Sequence, residues 1–195
     1  MIKLVLNMTR FTYECDYCRQ DDKRVKHESE EEGEKDATAE GKVHMTIRAL
    51  VIESAGRRIL VDTCLGNDKQ RPVEAWSMRS GPFLDDLTVA GFPPESIDTV
   101  LCTHLHVDHV GWNTKFENGR WVPTFPNARY LFNRVEFEHW RDTQDDATED
   151  MFLNVQKKVF LDSVKPVVDA GATFALTAAC QIDCYSPQWP FETTR

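Results

Sequence analysis

The chain has 195 residues, of which 41% are hydrophobic and 28% charged, with a net charge of −9. That length suits one domain or one and a part, and the composition is that of a globular protein. The acidic balance argues against a nucleic-acid partner, and no apolar run approaches the roughly 20 residues of a membrane-spanning helix.

The opening stretch, MIKLVLNMTRF, carries a short apolar patch without the long apolar stretch and small-residue cleavage site of a signal peptide. Residues 1–18 form an N-terminal segment ending in the Cys15/Cys18 pair, which would need a second pair nearby to build a zinc knuckle. Residues 19–42 read as a solvated acidic insertion, with too little apolar side chain to join a core. Order is expected over 43–170. VHMTIRALVIE and ILVDTCLGND, joined by ESAGRR, predict a hairpin turning at Gly56, with the second strand ending on Asp62. PFLDDLTVA predicts a short helix closed by Gly91, and PPES a turn. IDTVLCTHLHVDH predicts a buried strand that runs into the densest group of polar residues in the chain. The Asn118-Gly119 pair in FENGRWV predicts a tight hairpin, and ARYLF another strand. Residues 134–142 and 150–165 predict two helices, the second with Met151, Phe152, Val155, Val159 and Phe160 on one face and weakened at its end by Pro166. After Gly171 the character changes, and 171–195 is expected to be an atypical tail without histidine.

The six cysteines are Cys15, Cys18, Cys64, Cys102, Cys180 and Cys184. Cys64 and Cys102 close apolar strand-like runs and read as small buried hydrophobes, so a reducing, cytoplasmic setting is expected.

THLHVDHVGWN, residues 103–113, places His104, His106, Asp108 and His109 within six positions. Packing does not account for three histidines and an aspartate at the end of a buried strand. Residues two apart in extended backbone face the same way, so His104 and His106 could converge on one ion. Asp108 and His109 could then face a neighbouring position. Neutral imidazole suits zinc, and carboxylate oxygen suits zinc and harder divalent ions. Two such ions roughly 3.5–4 Å apart can share a hydroxide and clamp an oxyanion.

The motif resembles the H-x-H-x-D-H signature of the metallo-β-lactamase fold superfamily. The likeness extends through ILVDTCLGND, GFPPESIDTVLCTHLHVDHVGWNT, NGRWVPTFPNARYLF and EFEHW, about residues 43–170, to the branch of lactonase-like and organophosphate-hydrolase-like enzymes. The resemblance implies an α+β chain, a four-layer αβ/βα sandwich of which the N-terminal half is present. It implies His104 and His106 on a first metal and Asp108 and His109 on a second, with zinc or another divalent ion bound. Asp108 would also handle the proton of the attacking water, and Asp62 would orient the ligands from behind. A small-molecule substrate carrying a lactone, ester or related bond is then expected, attacked by metal-bound hydroxide, with neither nucleic acid nor membrane as partner.

The sequence departs from the family pattern near VKPVVDAG. No histidine follows His139, and Asp169, Asp183 and Glu192 are the only carboxylates after Asp162, none in a matching turn. Cys180, Asp183 and Cys184 read as ordinary tail residues rather than replacement ligands. The alternative is therefore a truncated, non-catalytic half-domain with an incomplete metal site. Trp112, Phe116 and Trp121, beside the metal loop, fit a pocket wall and a core edge equally well.

Overall fold

The computed structural model describes residues 2–14, 42–146, 148–172 and 174–177, with side chains from 46 to 146 and from 148 to 172. Among the described residues, β1 (Ile2–Glu14), β2 (Lys42–Ser54), β3 (Arg57–Val61), β4 (Thr99–Leu101), β7 (Arg129–Asn133) and β8 (Phe174–Thr177) form one mixed sheet in that order. The first two pairings are antiparallel and the remaining three parallel. A separate hairpin is made by β5 (Thr114–Glu117) and β6 (Arg120–Pro123). The helices are α1 (Phe83–Val89), α2 (Arg134–Asp142), α3 (Met151–Val159) and α4 (Lys165–Asp169).

The period of two along each strand sorts side chains to opposite faces. Ala49, Val51, Leu60, Val100, Tyr130 and Phe132 are fully or almost fully buried, in one core with Phe83 and Leu87 of α1 and Val155, Val159 and Val167 of the later helices. The intervening residues face the other way. Leu50, Val61, Leu101 and Leu131 stand opposite one another across β2, β3, β4 and β7 and are only half-buried. Pairings of this register, Leu50↔Val61 and their parallel continuations, make that second face aliphatic as well. A largely parallel sheet with apolar residues on both faces is the kind that is normally covered on both sides.

The expected hairpins, α1 and α2 are present. At the β5–β6 tip Asn118 and Gly119 both have positive φ, 52° and 81°, the backbone that a two-residue hairpin requires. Four expectations are corrected. The N-terminal segment, read only as an apolar patch, contributes the whole of β1, whose apolar and polar residues pair along β2. The strand before the ligand cluster stops at Leu101, so His104 and His106 lie in bends beyond it. Four residues after Gly171, Phe174–Thr177, form β8 beside β7, so the change of sequence character there does not end the sheet.

The helix expected over 150–165 is interrupted. A π-helical turn, Phe160–Val164, separates α3 from α4, and Lys165 N–H reaches back five residues to the Phe160 carbonyl. Pro166 explains this: it has no N–H to give the Asp162 carbonyl four residues earlier, and its ring would crowd that oxygen. The freed carbonyl accepts instead from Thr114 Oγ1 and, at 3.2 Å, from Lys69 Nζ. On α3 itself, Met151 and Phe152 are 62% and 45% exposed, so the buried stripe begins only at Val155. The Cys15/Cys18 pair, the acidic insertion up to residue 41, and Cys180, Asp183, Cys184 and Glu192 lie outside the described residues.

Candidate metal centre

β3 and β4 are parallel neighbours and end side by side. Asp62 N–H donates to the Leu101 carbonyl at 2.9 Å, and Cys102 N–H to Leu131 at 3.1 Å. The next amide, Thr103 N–H, is taken by Asp62 Oδ1 at 2.8 Å. A side chain has replaced the ladder partner there, and the strand stops. Asp62 itself is left-handed, φ 57°, a conformation aspartate tolerates better than most residues. Beyond this point Leu105, Val107 and Val110 are buried, while His104, His106, Asp108 and His109 are half-buried. The apolar residues thus anchor the loop in the core and leave the four polar side chains on its outer side.

Backbone bonds hold this loop to the segment after β3. Thr63 N–H donates to His109 O at 2.6 Å, Gly111 N–H to Cys64 O at 2.6 Å, and Trp112 N–H to Thr63 O at 2.9 Å. The approach is so close that a Cβ on Gly111 would lie 1.9 Å from the Leu65 carbonyl carbon, and only glycine fits.

His104, Asp108 and His109 each offer a ligand atom within 4.8 Å of the others. The His104 and His109 ring centroids are 3.8 Å apart. His106 stands edge-on to His104 at 4.6 Å and edge-on to Phe152 at 5.4 Å. The tightest trio therefore mixes the two ligand pairs that the sequence resemblance implies, with His106 alongside. Asp62 Oδ2 meets His109 Nδ1 at 2.8 Å, and Asp108 Oδ2 lies 3.2 Å from His109 Nε2. Thr103 Oγ1 donates to the Asp62 carboxylate, 2.8 Å from Oδ2, and fixes its orientation. A carboxylate on one imidazole nitrogen sets the ring's tautomer and direction for whatever the other nitrogen meets.

The electrostatics divide the imidazoles. Burial, reinforced by His109 and His106, pushes His104 down to about 4, so its ring is neutral at ordinary pH. Burial lowers His106 also. At His109 burial acts in the same sense, but hydrogen bonds to Asp108 and Asp62 override it and raise the pKa to about 9. Burial works against ionising Asp108, yet its bond to His109 holds it below the usual carboxylate value. Neutral His104 and ionised Asp108 converge, half-buried, with His109, which can coordinate once it gives up its proton, and imidazole with carboxylate is a donor set that suits a divalent ion. The residues present fit such an ion.

Other contacts lay beyond the reach of sequence pattern. Glu136 on α2 and Gln156 on α3 bond the backbone of Leu105, between the first two histidines. Trp112 proves to be core, 6% exposed and stacked on Phe83 at 5.6 Å. Trp121 lies under Lys69 Nζ at 3.6 Å, and Phe116 is half-exposed against it. Cys64 and Cys102 are buried free thiols, as expected. Trp140 is buried and His139 is exposed.

A mixed sheet whose adjacent parallel strands lead, at their C-terminal ends, into a cluster of histidines and carboxylates defines an α/β protein with a candidate metal site. Residues 46–177 match the family described as the Metallo-beta-lactamase superfamily, and the chain belongs to it. Among solved structures, the chain is similar to the hydrolase AbOPH of the beta lactamase superfamily, with TM-score 0.59 and 20% identity, covering 87% of this chain and 55% of that one. It is similar also to a probable metal-dependent hydrolase from Staphylococcus aureus, with TM-score 0.53 and 18% identity over 72% of this chain and 50% of that one. A third is AidC, a dizinc quorum-quenching lactonase, with TM-score 0.49 and 20% identity over 81% of this chain and 55% of that one. The chain spans about half the length of the structures it matches. Among the described residues no helix is long and apolar enough to cross a membrane.

Proposed function

We propose that this segment holds a divalent ion, zinc by donor chemistry, and serves the hydrolysis of a small molecule through a lactone, ester or related bond. The observation that carries the reading is the convergence of His104, Asp108 and His109 within 4.8 Å, beside the C-terminal ends of β3 and β4. An ion held there supplies Lewis acidity, which activates water at neutral pH and polarises a carbonyl. His104, His109 and Asp108 would hold it, with His106 as a further ligand. Asp108 would receive the proton of the attacking water at a carboxylate oxygen, its bond to His109 favouring the ionised form this needs. Asp62 and Thr103 keep His109 oriented through Nδ1. A small-molecule substrate, rather than nucleic acid or membrane, and a cytoplasmic setting belong to the same reading.

A second reading is favoured by one specific observation. The trio comes from a single loop, and the chain spans about half of its solved neighbours. In that reading the segment binds metal weakly and does not turn over. Metal content of the purified protein, with lactone and ester hydrolysis assayed alongside, separates the two. On the weak-binding reading the expected result is fewer than two tightly held ions per chain and little turnover by the chain alone. Two firmly held ions together with activity abolished in His106→Ala would establish the catalytic reading and overturn the weak-binding one. A protein that takes up no ion at all would refute both.

A further inference from the structure

His104 and His106 are separated by Leu105, whose side chain is 2% exposed and points into the core. The backbone of this residue lies past the end of β4 and has no strand partner to bond. Its N–H donates to Glu136 Oε1 at 2.8 Å, from the first turn of α2. Its carbonyl accepts from Gln156 Nε2 at 3.4 Å, from the middle of α3. Both polar groups of one residue are thus met by side chains from two different helices.

The helix ends make this arrangement specific. Asn133 closes β7 and caps α2, its Oδ1 accepting from the Val135 and Glu136 N–H groups at 2.9 and 3.3 Å. Because β7 is the direct neighbour of β4, the cap sets Glu136 beside the loop that leaves β4. Gln156 is 1% exposed, and Phe152, one helical turn earlier on the same stripe, has its ring against His106. The helix that holds the Leu105 carbonyl also abuts the second histidine.

We propose that Glu136, assisted by Gln156, is a positioning residue for the metal centre: the two side chains clamp the peptide groups around Leu105 and so fix the directions of His104 and His106. The proposal rests on the metal-centre reading above. An irregular loop has two soft dihedrals per residue, and rotation at Leu105 swings the two imidazoles relative to each other. Ligand geometry must hold to about 0.5 Å for a site to function, and outer partners that orient ligands are what secure it. Glu136 stands outside the converging ligand atoms, so its effect passes through the Leu105 backbone.

The test uses the full chain and Co(II), followed by its visible absorption and by competition with a chromogenic chelator, with thermal unfolding of the metal-free protein measured in parallel. Glu136→Ala is expected to weaken Co(II) affinity by about 10-fold or more and to alter the visible bands. Glu136→Gln keeps a carbonyl oxygen for the Leu105 N–H and is expected to return affinity to within about 3-fold of the parent. A parent-like affinity and spectrum for Glu136→Ala overturns the clamp. Equal losses in Glu136→Ala and Glu136→Gln also overturn it, because charge rather than the hydrogen bond is then responsible. Should Glu136→Ala fail to fold, Gln156→Leu removes only the carbonyl-side contact. A loss of Co(II) affinity of about tenfold or more there, on the order expected for an outer partner, supports the clamp, and a smaller change overturns it. If the parent chain takes up no Co(II), the metal-centre reading itself fails. That is distinct from a parent that binds and a Glu136→Ala variant that matches it.

Discussion

On the metal-centre reading, His109 is the residue at which proton and metal would compete. Its two carboxylate partners raise its pKa to about 9, so the metal-free protein carries an imidazolium there at pH 7. Coordination needs the neutral ring. Metal uptake at pH 7 is therefore expected to release a proton from His109, and apparent affinity to rise by up to about tenfold per pH unit toward 9, then flatten. His104, already neutral above about 4, adds nothing to that slope. Zinc titrations by calorimetry at pH 7 in two buffers of different ionisation enthalpy read the proton directly. An affinity unchanged between pH 7 and 8.5 would show that His109 is neutral or is not a ligand. At this scale the sequence was generous with the ligands and silent on their supports. H-x-H-x-D-H is compressed into six positions and is visible at once. Thr103 and Glu136 act on the loop through hydrogen bonds, Glu136 from 31 residues away, and no local spacing announces that.

The buried ion group shows what one proline does to a helix. Arg71 bonds both carboxylate oxygens of Asp162, at 2.6 and 2.9 Å, and Lys69 lies 3.5 Å from the same carboxylate and over the face of Trp121. Two buried cations share one carboxylate, and the carbonyl freed by Pro166 gives Lys69 a further acceptor. Asp162→Asn leaves both cations without a counter-charge and is expected to cost about 3 kcal/mol or more in chemical denaturation. Lys69→Met leaves the Arg71–Asp162 pair intact and is expected to cost about 1 kcal/mol at neutral pH. Burial lowers Lys69 from the usual 10.5 to about 8, against the pull of Asp162. Between those values the unfolded chain binds more protons than the folded one, so Lys69 makes stability rise with pH across that window. The methionine variant is expected to lose that rise, and a larger loss in Lys69→Met than in Asp162→Asn would refute this account. Elements whose cause is local were readable beforehand: the Asn118-Gly119 hairpin, α2 over residues 134–142, and α1 closed at Gly91. The π turn was not, because Pro166 signals a break without saying where the chain will take its hydrogen bonds instead. β1 was missed because its partner, β2, lies beyond the acidic insertion, and the pairing is not a local signal.

Across the whole molecule the sheet divides its residues into a sealed face and a half-sealed one. Val100 is 0% exposed in the core, whereas Leu101, its neighbour on β4, lies in the aliphatic row of the other face. Truncation should reveal the difference. Val100→Ala is expected to cost on the order of 2 kcal/mol and Leu101→Ala about 1 kcal/mol, although leucine loses more atoms. Equilibrium unfolding in urea gives both values. A larger cost at Leu101 would mean that the second face is as fully packed as the first. The sandwich class followed from family resemblance rather than from alternation of side chains, since alternation alone reports that a strand has two faces and not what lies against each.

The three backbone bonds between Thr63–Cys64 and His109–Trp112, closed over Gly111, bear on when the site comes into being. They join two stretches of main chain without help from any ligand side chain. The ordering of the loop is thereby completed as the domain folds, and the entropy of fixing it is not left for an arriving ion to offset. On the metal-centre reading, capture at such a loop would be an act of occupancy rather than of folding, and loss of an ion would leave the scaffold standing and ready to be reloaded.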